Sequence, residues 1–203
     1  VDLGDHFRFE YAGHEATIAA DAQPYTEGYR VSFNIFIGVA GKGSVQVDLV
    51  VGAGMTDEVQ IALPASALDL PRLTSNRYRL YPVVDQIADK VCATMTEHDG
   101  RPSSREKDLV DIVVFAVTQD IDGAALSLAI NTERHRRKME PFERFVVPST
   151  WGSGYIKQSK PVPYCVDYPT VELAAALASR FLDPALSDEA QGRTWRANQR
   201  QWK

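Results

Sequence analysis

Apolar residues recur at three- and four-residue intervals in two neighbouring stretches within residues 81–117. This spacing predicts two amphipathic helices, because positions three and four apart lie on the same face of a helix. A polar segment separates the two stretches, so we expect a helical hairpin. The apolar stripes consist of Val84, Ile87, Ala88, Val91, Cys92 and Met95 in the first helix, and of Leu109, Ile112, Val113 and Ala116 in the second.

The N-terminal part of the chain follows the two-residue period of β-strands instead. Residues 29–39 and 44–52 alternate apolar and polar side chains, and the Gly-containing segment at residues 40–43 predicts the turn of a hairpin between them. Four shorter strands are predicted at residues 6–11, 16–20, 59–62 and 78–81, the first two separated by Gly13.

The C-terminal part is predicted to be mainly helical. A third helix begins at Asp122 and ends before Pro141, with Ala125, Leu128 and Ala129 facing inward. The aromatic, Gly and Pro residues of the segment 142–169 predict a long packed loop. A further helix is predicted at residues 171–186 with Thr170 as its N-cap, and the last residues, which include Trp195 and Trp202, have helical spacing.

The composition is that of a folded globular chain. Of 203 residues, 44% are hydrophobic and 24% are charged, which is sufficient to bury a core. The net charge is −5, and residues 1–100 carry 7 Lys and Arg against 14 Asp and Glu. No apolar run is long enough to span a bilayer and no signal pattern begins the chain, so we expect a cytoplasmic protein without a membrane partner.

Three charged side chains are predicted to converge across the helical hairpin. Lys90 falls at the border of the apolar stripe of the first helix, and Asp108 and Asp111 project from neighbouring points on the second. The alternative is that these charges simply face water, as charges at such spacings commonly do.

The same hairpin carries a longer pattern, P-x-x-D-Q-I-A-D-K-V-x-A followed by R-P-S-S-R-x-K-D-L-V-D-I. This pattern resembles the AbiEii-type nucleotidyltransferase toxins, relatives of the DNA polymerase β superfamily that occur in toxin–antitoxin pairs. The resemblance spans roughly residues 1–120. It implies an α+β fold, in which residues 1–80 are the remainder of a mixed or antiparallel nucleotidyltransferase sheet domain and residues 81–203 form a helical domain.

The resemblance also implies an activity. Members of the family are expected to transfer a nucleotide from an NTP to an RNA acceptor, such as the 3′ end of a tRNA, with Mg²⁺, and to have a cognate antitoxin as partner. Lys90 would bind the triphosphate. Either Asp108 or Asp111 would position the substrate or Lys90, and the sequence leaves the choice between them open.

Asp48 lies in the segment V-D-L-V-V-G. In the family a strand aspartate stands beside the first motif, so the resemblance implies a metal-side carboxylate role for Asp48. That motif, a Gly-Gly turn followed by an Asp-x-Asp pair, is expected upstream of Val1. The chain would then be an N-terminally truncated fragment with little activity of its own. The alternative is a non-catalytic RNA- or protein-binding module that has kept the fold.

A basic cluster begins in the last turn of the third helix and continues beyond it. Between residues 134 and 160 there are seven Lys or Arg against two Glu, interleaved with aromatic residues. Cations neutralise phosphates and aromatic rings stack on bases, so the cluster predicts contact with single-stranded RNA. The cluster could equally be a solvated helix end, where cations offset the helix dipole. The residues assigned to RNA binding are Arg134, Arg136, Arg137 and Lys138.

Overall fold

A computed structural model of the chain describes residues 6–18, 27–52, 54–65, 76–98 and 100–203. The chain divides into two compact units, the first of Val1–Ala53 and Val59–Leu80 and the second of Gly54–Glu58 and Tyr81–Lys203. Helices and antiparallel sheets are both present, which confirms the predicted α+β class. Within the described ranges, no helix has the length and apolar character needed to cross a membrane.

The first unit contains an antiparallel three-stranded sheet in the order β1-β2-β3. Where two short strands were predicted, a single strand β1 runs through a register shift at Gly13, while residues 19–20 of that prediction lie outside the described part. The strands of the unit are β1 (Phe7–Ile18), β2 (Glu27–Ile37), β3 (Ala40–Val51) and the paired β4 (Gln60–Ala62) and β5 (Tyr78–Leu80).

The turn of the β2–β3 hairpin lies earlier than predicted. Gly38 and Val39 form it, and Gly38 has a φ of 57°, which glycine adopts without a Cβ penalty. Gly43 instead lies at an irregularity in the pairing of the two strands, with a φ of 105°. Tyr29 lies opposite Leu49, so the alternating apolar side chains share one face as predicted.

The second unit holds the buried hydrophobic core. The stripes predicted for the helical hairpin are buried, except for the partly buried Met95. Helix α1 packs against α2 and α3, and α2 also packs against α4 and α5. The elements of this part are α1 (Val83–Met95), β6 (Glu97–His98), β7 (Arg101–Pro102), α2 (Glu106–Thr118), β8 (Ile121–Asp122), α3 (Gly123–Arg136), α4 (Ser153–Ser159) and α5 (Val171–Leu186).

Helix α3 begins as predicted but differs in its end and in its inward face. The Asp122 carboxylate accepts the N–H of Ala125 at 2.9 Å, as an N-cap does. The helix ends at Arg136, well before Pro141. Leu128 is 56% exposed, because α3 packs against both α1 and α5 and turns other residues inward. The buried residues of the helix are Gly123, Leu126, Ser127, Ala129 and Ile130.

The segment predicted as a long loop contains helix α4 and a 3₁₀ turn at Pro163–Cys165. Tyr155 of α4 is fully buried, and its hydroxyl donates to the Tyr168 carbonyl at 2.7 Å. Helix α5 follows with the predicted N-cap, since the Thr170 hydroxyl accepts the Leu173 N–H at 3.4 Å. This part of the chain is therefore packed, as expected, but more regular than expected.

The helical spacing at the C-terminus gives a wrong prediction. The chain instead forms a hairpin of β9 (Thr194–Arg196) and β10 (Gln201–Trp202), and β9 also pairs with β8. Trp195 and Trp202 lie opposite each other and are both buried. Their indole N–H groups donate to the carbonyls of Ala116 and Phe181 at 2.7 and 3.2 Å. Burial of two aromatic side chains on one sheet face explains the preference for a hairpin.

Candidate active site

Lys90, Asp108 and Asp111 meet between α1 and α2, as their spacing predicts. The Lys90 ammonium lies 2.8 Å from Asp111 Oδ2 and 3.5 Å from Asp108 Oδ1. The Lys90 side chain is 19% exposed and that of Asp108 is 5% exposed, so the cluster lies at the edge of the core and reaches the surface on one side. The alternative that these three charges simply face water does not describe this arrangement.

Two further cations from the start of α2 complete the cluster. Arg105 Nε lies 2.7 Å from Asp108 Oδ2, an ion-pair distance without the N–H direction of a hydrogen bond. The Lys107 ammonium donates to both carboxylate oxygens of Asp111 at 2.9 Å. Both cations are largely exposed, in contrast to Lys90. Three cations thus surround these two carboxylates.

Burial and neighbouring charge act in opposite directions on these groups. Burial disfavours the charged form of Lys90, but the hydrogen bond to Asp111 and the negative charges of Asp108 and Asp111 outweigh burial and raise the lysine pKa. Likewise, burial favours protonation of Asp111, yet its bonds to Lys90 and Lys107 lower its pKa. Lys90 and Asp111 are therefore both ionised at neutral pH.

This arrangement is suited to binding an anion. Lys90 is a compact ammonium held in place by two carboxylates, and Arg105 and Lys107 reach solvent beside it. A cation held in this way can donate hydrogen bonds to phosphate oxygens without first ordering its own long side chain.

Asp48 lies in the first unit, in β3. Arg30 of β2 donates to both carboxylate oxygens of Asp48, at 2.7 and 3.1 Å, across a directly opposed strand pair. This ion pair, with the hydrogen bond first in importance, lowers the pKa of Asp48. Both oxygens are therefore engaged by a guanidinium, and the pair aligns the two strands.

The Mg²⁺ ion implied by the resemblance does not fit the carboxylates that the structure describes. In residues 6–18, 27–52, 54–65, 76–98 and 100–203, no three His, Cys, Asp or Glu side chains are grouped to hold a metal ion. Asp48 is paired with Arg30, and Asp108 and Asp111 are paired with cations. A metal role for Asp48 stays a prediction.

The basic residues at the C-terminal end of α3 are partly engaged in ion pairs within the protein, so they are neither all solvated nor all available to RNA. Arg137 is 10% exposed, donates to Glu133 Oε1 at 2.6 Å and pairs with Asp89 of α1. Arg136 pairs with the other oxygen of Glu133 at 2.7 Å. Two of the four predicted RNA contacts are thus components of an ion-pair network that joins α3 to α1.

The other two residues of this cluster have different surroundings. Arg134 donates to the Met139 carbonyl and to Asn131 Oδ1, both at 3.3 Å, so it closes the end of the helix. Lys138 is exposed and has a φ of 55°. Of the four, Lys138 presents its charge most openly to solvent.

The pattern D-Q-I-A-D-K also contains a residue whose role we did not predict. Asp85 is buried, and its carboxylate accepts the Thr56 N–H at 3.0 and 3.1 Å and the Thr56 hydroxyl at 2.8 Å. The Tyr81 hydroxyl donates to the Gly54 carbonyl at 2.6 Å, and burial raises the pKa of Tyr81 to about 12. These bonds attach the segment Gly54–Glu58 to the start of α1. An acid in the first helical turn is common, so the sequence gives no signal for this long-range contact.

Comparison with known families extends the resemblance found in the sequence. A family model described as "Nucleotidyl transferase AbiEii toxin, Type IV TA system" matches residues 4–201. The match reaches beyond residue 120 and includes the C-terminal helices and hairpin. A search of curated proteins found no match. The chain belongs to the AbiEii nucleotidyltransferase toxin family of type IV toxin–antitoxin systems.

Proposed function

We propose that this chain binds the triphosphate of an NTP at the Lys90 cluster and acts in the transfer of a nucleotide to RNA. One observation supports the proposal above the others. Lys90, which stands in the motif that resembles the family, is held by two carboxylates at the edge of the core while its ammonium remains charged. A purely structural role does not account for a partly buried ion cluster in a helical hairpin, because such clusters add little net stability to the fold.

The residues of the cluster take distinct roles in this proposal. Lys90 contacts phosphate oxygens as a point charge. Asp111 forms the shorter contact with Lys90, so we assign to Asp111 the positioning of the ammonium. Asp108 is more deeply buried and pairs with Arg105, and we assign to it the position of that guanidinium at the rim. The carboxylates among the described residues do not form a site for Mg²⁺.

The acceptor in the proposal is an RNA end, such as the 3′ end of a tRNA, and the partner is a cognate antitoxin. Among the cations predicted to contact RNA, Lys138 is the best placed to do so, because Arg136 and Arg137 are already paired with carboxylates. The alternative of a non-catalytic RNA- or protein-binding module with the same fold is an outcome of the experiment below.

The experiment measures binding and transfer separately. Binding of each NTP is measured by calorimetry for the unaltered chain, Lys90→Ala and Lys157→Ala, the last being an exposed lysine of α4 that serves as control. Transfer of labelled nucleotide to total tRNA is measured with the same proteins. We expect Lys90→Ala to abolish NTP binding and Lys157→Ala to leave it unchanged.

The outcomes distinguish the two candidate functions. Transfer that requires Lys90 establishes the enzyme. NTP binding that requires Lys90, without transfer to any tRNA, indicates the alternative, a non-catalytic module that has kept the fold and its nucleotide site. Equal NTP binding by Lys90→Ala and the unaltered chain shows that the cluster is structural.

A further inference from the structure

Glu106 lies inside the motif R-E-K-D, between the two exposed cations of the site, yet its side chain points to a different element. Its Oε2 atom accepts the backbone N–H groups of Gly152 and Tyr155, at 3.2 and 2.5 Å. The carboxylate therefore caps the start of α4 from outside that helix, and this partly buried acceptor is satisfied by two N–H donors.

Gly154 leaves the space that this carboxylate occupies. A Cβ at residue 154 would lie 2.4 Å from Glu106 Oε1 and 2.9 Å from Oε2. Any side chain there would displace the carboxylate from its N–H donors. The φ of Gly154 is not in the left-handed region. Glycine is therefore required at this position because there is no space for a side chain, and not because of the backbone conformation.

A second contact from the same segment holds the chain just before α2. The Trp151 indole N–H donates to the Ser103 carbonyl at 2.7 Å, and Trp151 is buried. Residues 151–155, which we call the brace, thus contact α2 through Glu106 and the preceding turn through Ser103. These two contacts lie on either side of Arg105 in the chain.

The exposed site cations lie in or directly beside the segment between these contacts, since Arg105 precedes Glu106 and Lys107 follows it. Arg105 reaches Asp108, and Lys107 reaches Asp111, so a rotation or shift of the first turn of α2 would move both pairs relative to Lys90 on α1. Lys90 itself depends on the same two carboxylates. The position of the first turn therefore sets the geometry of the whole cluster.

We propose that Glu106 is a positioning residue, which locks the first turn of α2 to the brace and thereby holds Asp108 and Asp111 in register with Lys90. Glu106 does not touch the nucleotide, since its Oε2 is occupied by two backbone N–H groups and Gly154 closes on its Oε1. The effect on nucleotide binding rests on the proposed function, whereas the effect on the cluster does not.

The experiment detects the Lys90 side chain directly in the full chain. Lysine labelled with ¹³C and ¹⁵N gives a side-chain NMR signal for Lys90, which Lys90→Arg identifies by its loss. The signal is measured in Glu106→Gln, Gly154→Ala and the double variant. Glu172→Gln is the control, because it removes the same charge from an exposed first-turn glutamate of α5.

Gly154→Ala is the decisive variant, because it changes no charge. If Glu106 acts by position, both single variants move the Lys90 signal in the same direction, and the double variant moves it no further than the larger single change. Glu172→Gln leaves the signal in place. NTP binding weakens in both single variants, by roughly tenfold or more, because even a small displacement of the Lys90 ammonium weakens its contact with the phosphate oxygens.

The results separate this inference from the proposed function. A shifted Lys90 signal in a chain that binds no NTP supports the brace and overturns the proposed function. An unmoved Lys90 signal in folded Gly154→Ala overturns the brace, and so do shifts that add in the double variant. If these variants do not fold, Trp151→Phe, which removes the indole N–H and leaves a smaller aromatic ring, decides by whether it moves the Lys90 signal.

Discussion

Lys90 shows how a cation can be kept charged at the edge of a hydrophobic core. Burial alone would favour the neutral amine, but the hydrogen bond to Asp111 and the two neighbouring carboxylates raise its pKa. The same contacts lower the pKa of Asp111. The free energy of unfolding therefore depends on the ionisation of Lys90 and Asp111. The direction of each pKa shift determines whether that free energy falls at low or at high pH.

Replacing Lys90 by Met should lower the free energy of unfolding at pH 7 by about 1 to 3 kcal/mol, because Asp108 and Asp111 lose a shared cation. Solvent screening and the remaining Arg105 and Lys107 keep the loss at the lower end of that range. Urea unfolding followed by circular dichroism measures it. Lys157→Met is the control, and equal stability of Lys90→Met and the unaltered chain would contradict the prediction.

The pH dependence of stability should change in the same variant. The pKa of Asp111 is lowered in the folded state, so its contribution is present above its unfolded pKa and is lost as the pH falls through its folded pKa. The pKa of Lys90 is raised, so its contribution is lost only as the pH rises past its folded value. Between roughly pH 5 and pH 10 both contributions are full. In Lys90→Met we expect a shallower loss of stability below pH 5, measured by urea unfolding at several pH values.

Gly123 is a position where space decides what residue is allowed. A Cβ there would lie 2.0 Å from the Ala190 carbonyl oxygen, a backbone atom that cannot move freely. Gly123→Ala should therefore destabilise the fold by about 2 kcal/mol or more, as overpacking does. Gly192→Ala is the comparison, since Gly192 has a φ of 71° and open space, so only conformational strain of about 1 kcal/mol is expected. Scanning calorimetry of the two variants measures both losses of stability. Equal losses in Gly123→Ala and Gly192→Ala would contradict the prediction.

Among the elements, α1 and α3 are joined by a network that the sequence did not reveal. Arg137 follows the end of α3 and pairs with Glu133 of the same helix and with Asp89 of α1. Glu133 is only 12% exposed, so removal of the guanidinium would leave a carboxylate poorly solvated. At least part of the basic cluster therefore stabilises the packing of α3 against α1, independently of any RNA binding.

Arg137→Ala should lower the free energy of unfolding by about 2 to 4 kcal/mol, whereas the adjacent Lys138→Ala should change it by less than about 0.5 kcal/mol. If the cluster binds RNA through exposed charge, Lys138→Ala should be the variant that reduces the salt dependence of RNA affinity. Unfolding in urea and RNA binding at several salt concentrations measure the two effects. Similar unfolding curves for the two variants would show that Arg137 is a solvated surface charge.

The helical hairpin could be predicted because its signal is local. Val84, Ile87 and Val91 repeat at helical spacing and are buried as that spacing requires, and the charge at Lys90 falls where the stripe meets the surface. The convergence with Asp108 and Asp111 follows once the two helices pack against each other. This part of the candidate site was within reach of sequence reasoning.

The remainder depends on contacts between distant parts of the chain. Trp195 and Trp202 are seven positions apart, which fits two helical turns as well as a hairpin, and only the pairing of β9 with β8 decides between them. The local sequence indicates only a solvated helix residue at Glu106, because its contact with Gly152 and Tyr155 involves a distant part of the chain. Arg137 likewise has a partner, Asp89, that no local pattern indicates.

At the scale of the whole molecule, burial is distributed unevenly along the chain. The buried hydrophobic residues among those described extend from Val84 to Trp202, all in the second unit. In the first unit, the apolar side chains of β1 and β3, such as Phe9 and Leu49, are about half exposed. A three-stranded sheet with so little buried apolar surface gains little hydrophobic stabilisation.

This uneven burial predicts that the sheet of the first unit opens locally at a lower free energy than the helices of the second unit. Amide hydrogens in α1, α2 and α5 should exchange only through global unfolding, while those in β1, β2 and β3 should exchange through local opening at a free energy lower by about 2 kcal/mol or more. Hydrogen exchange with mass spectrometry over a range of sub-denaturing urea concentrations measures both. Lys90→Met provides the control, because it should reduce the protection of α1 and α2 and leave that of the sheet unchanged. If sheet and helices lost protection together in Lys90→Met, the two units would unfold as one, and burial within each unit would not determine its stability.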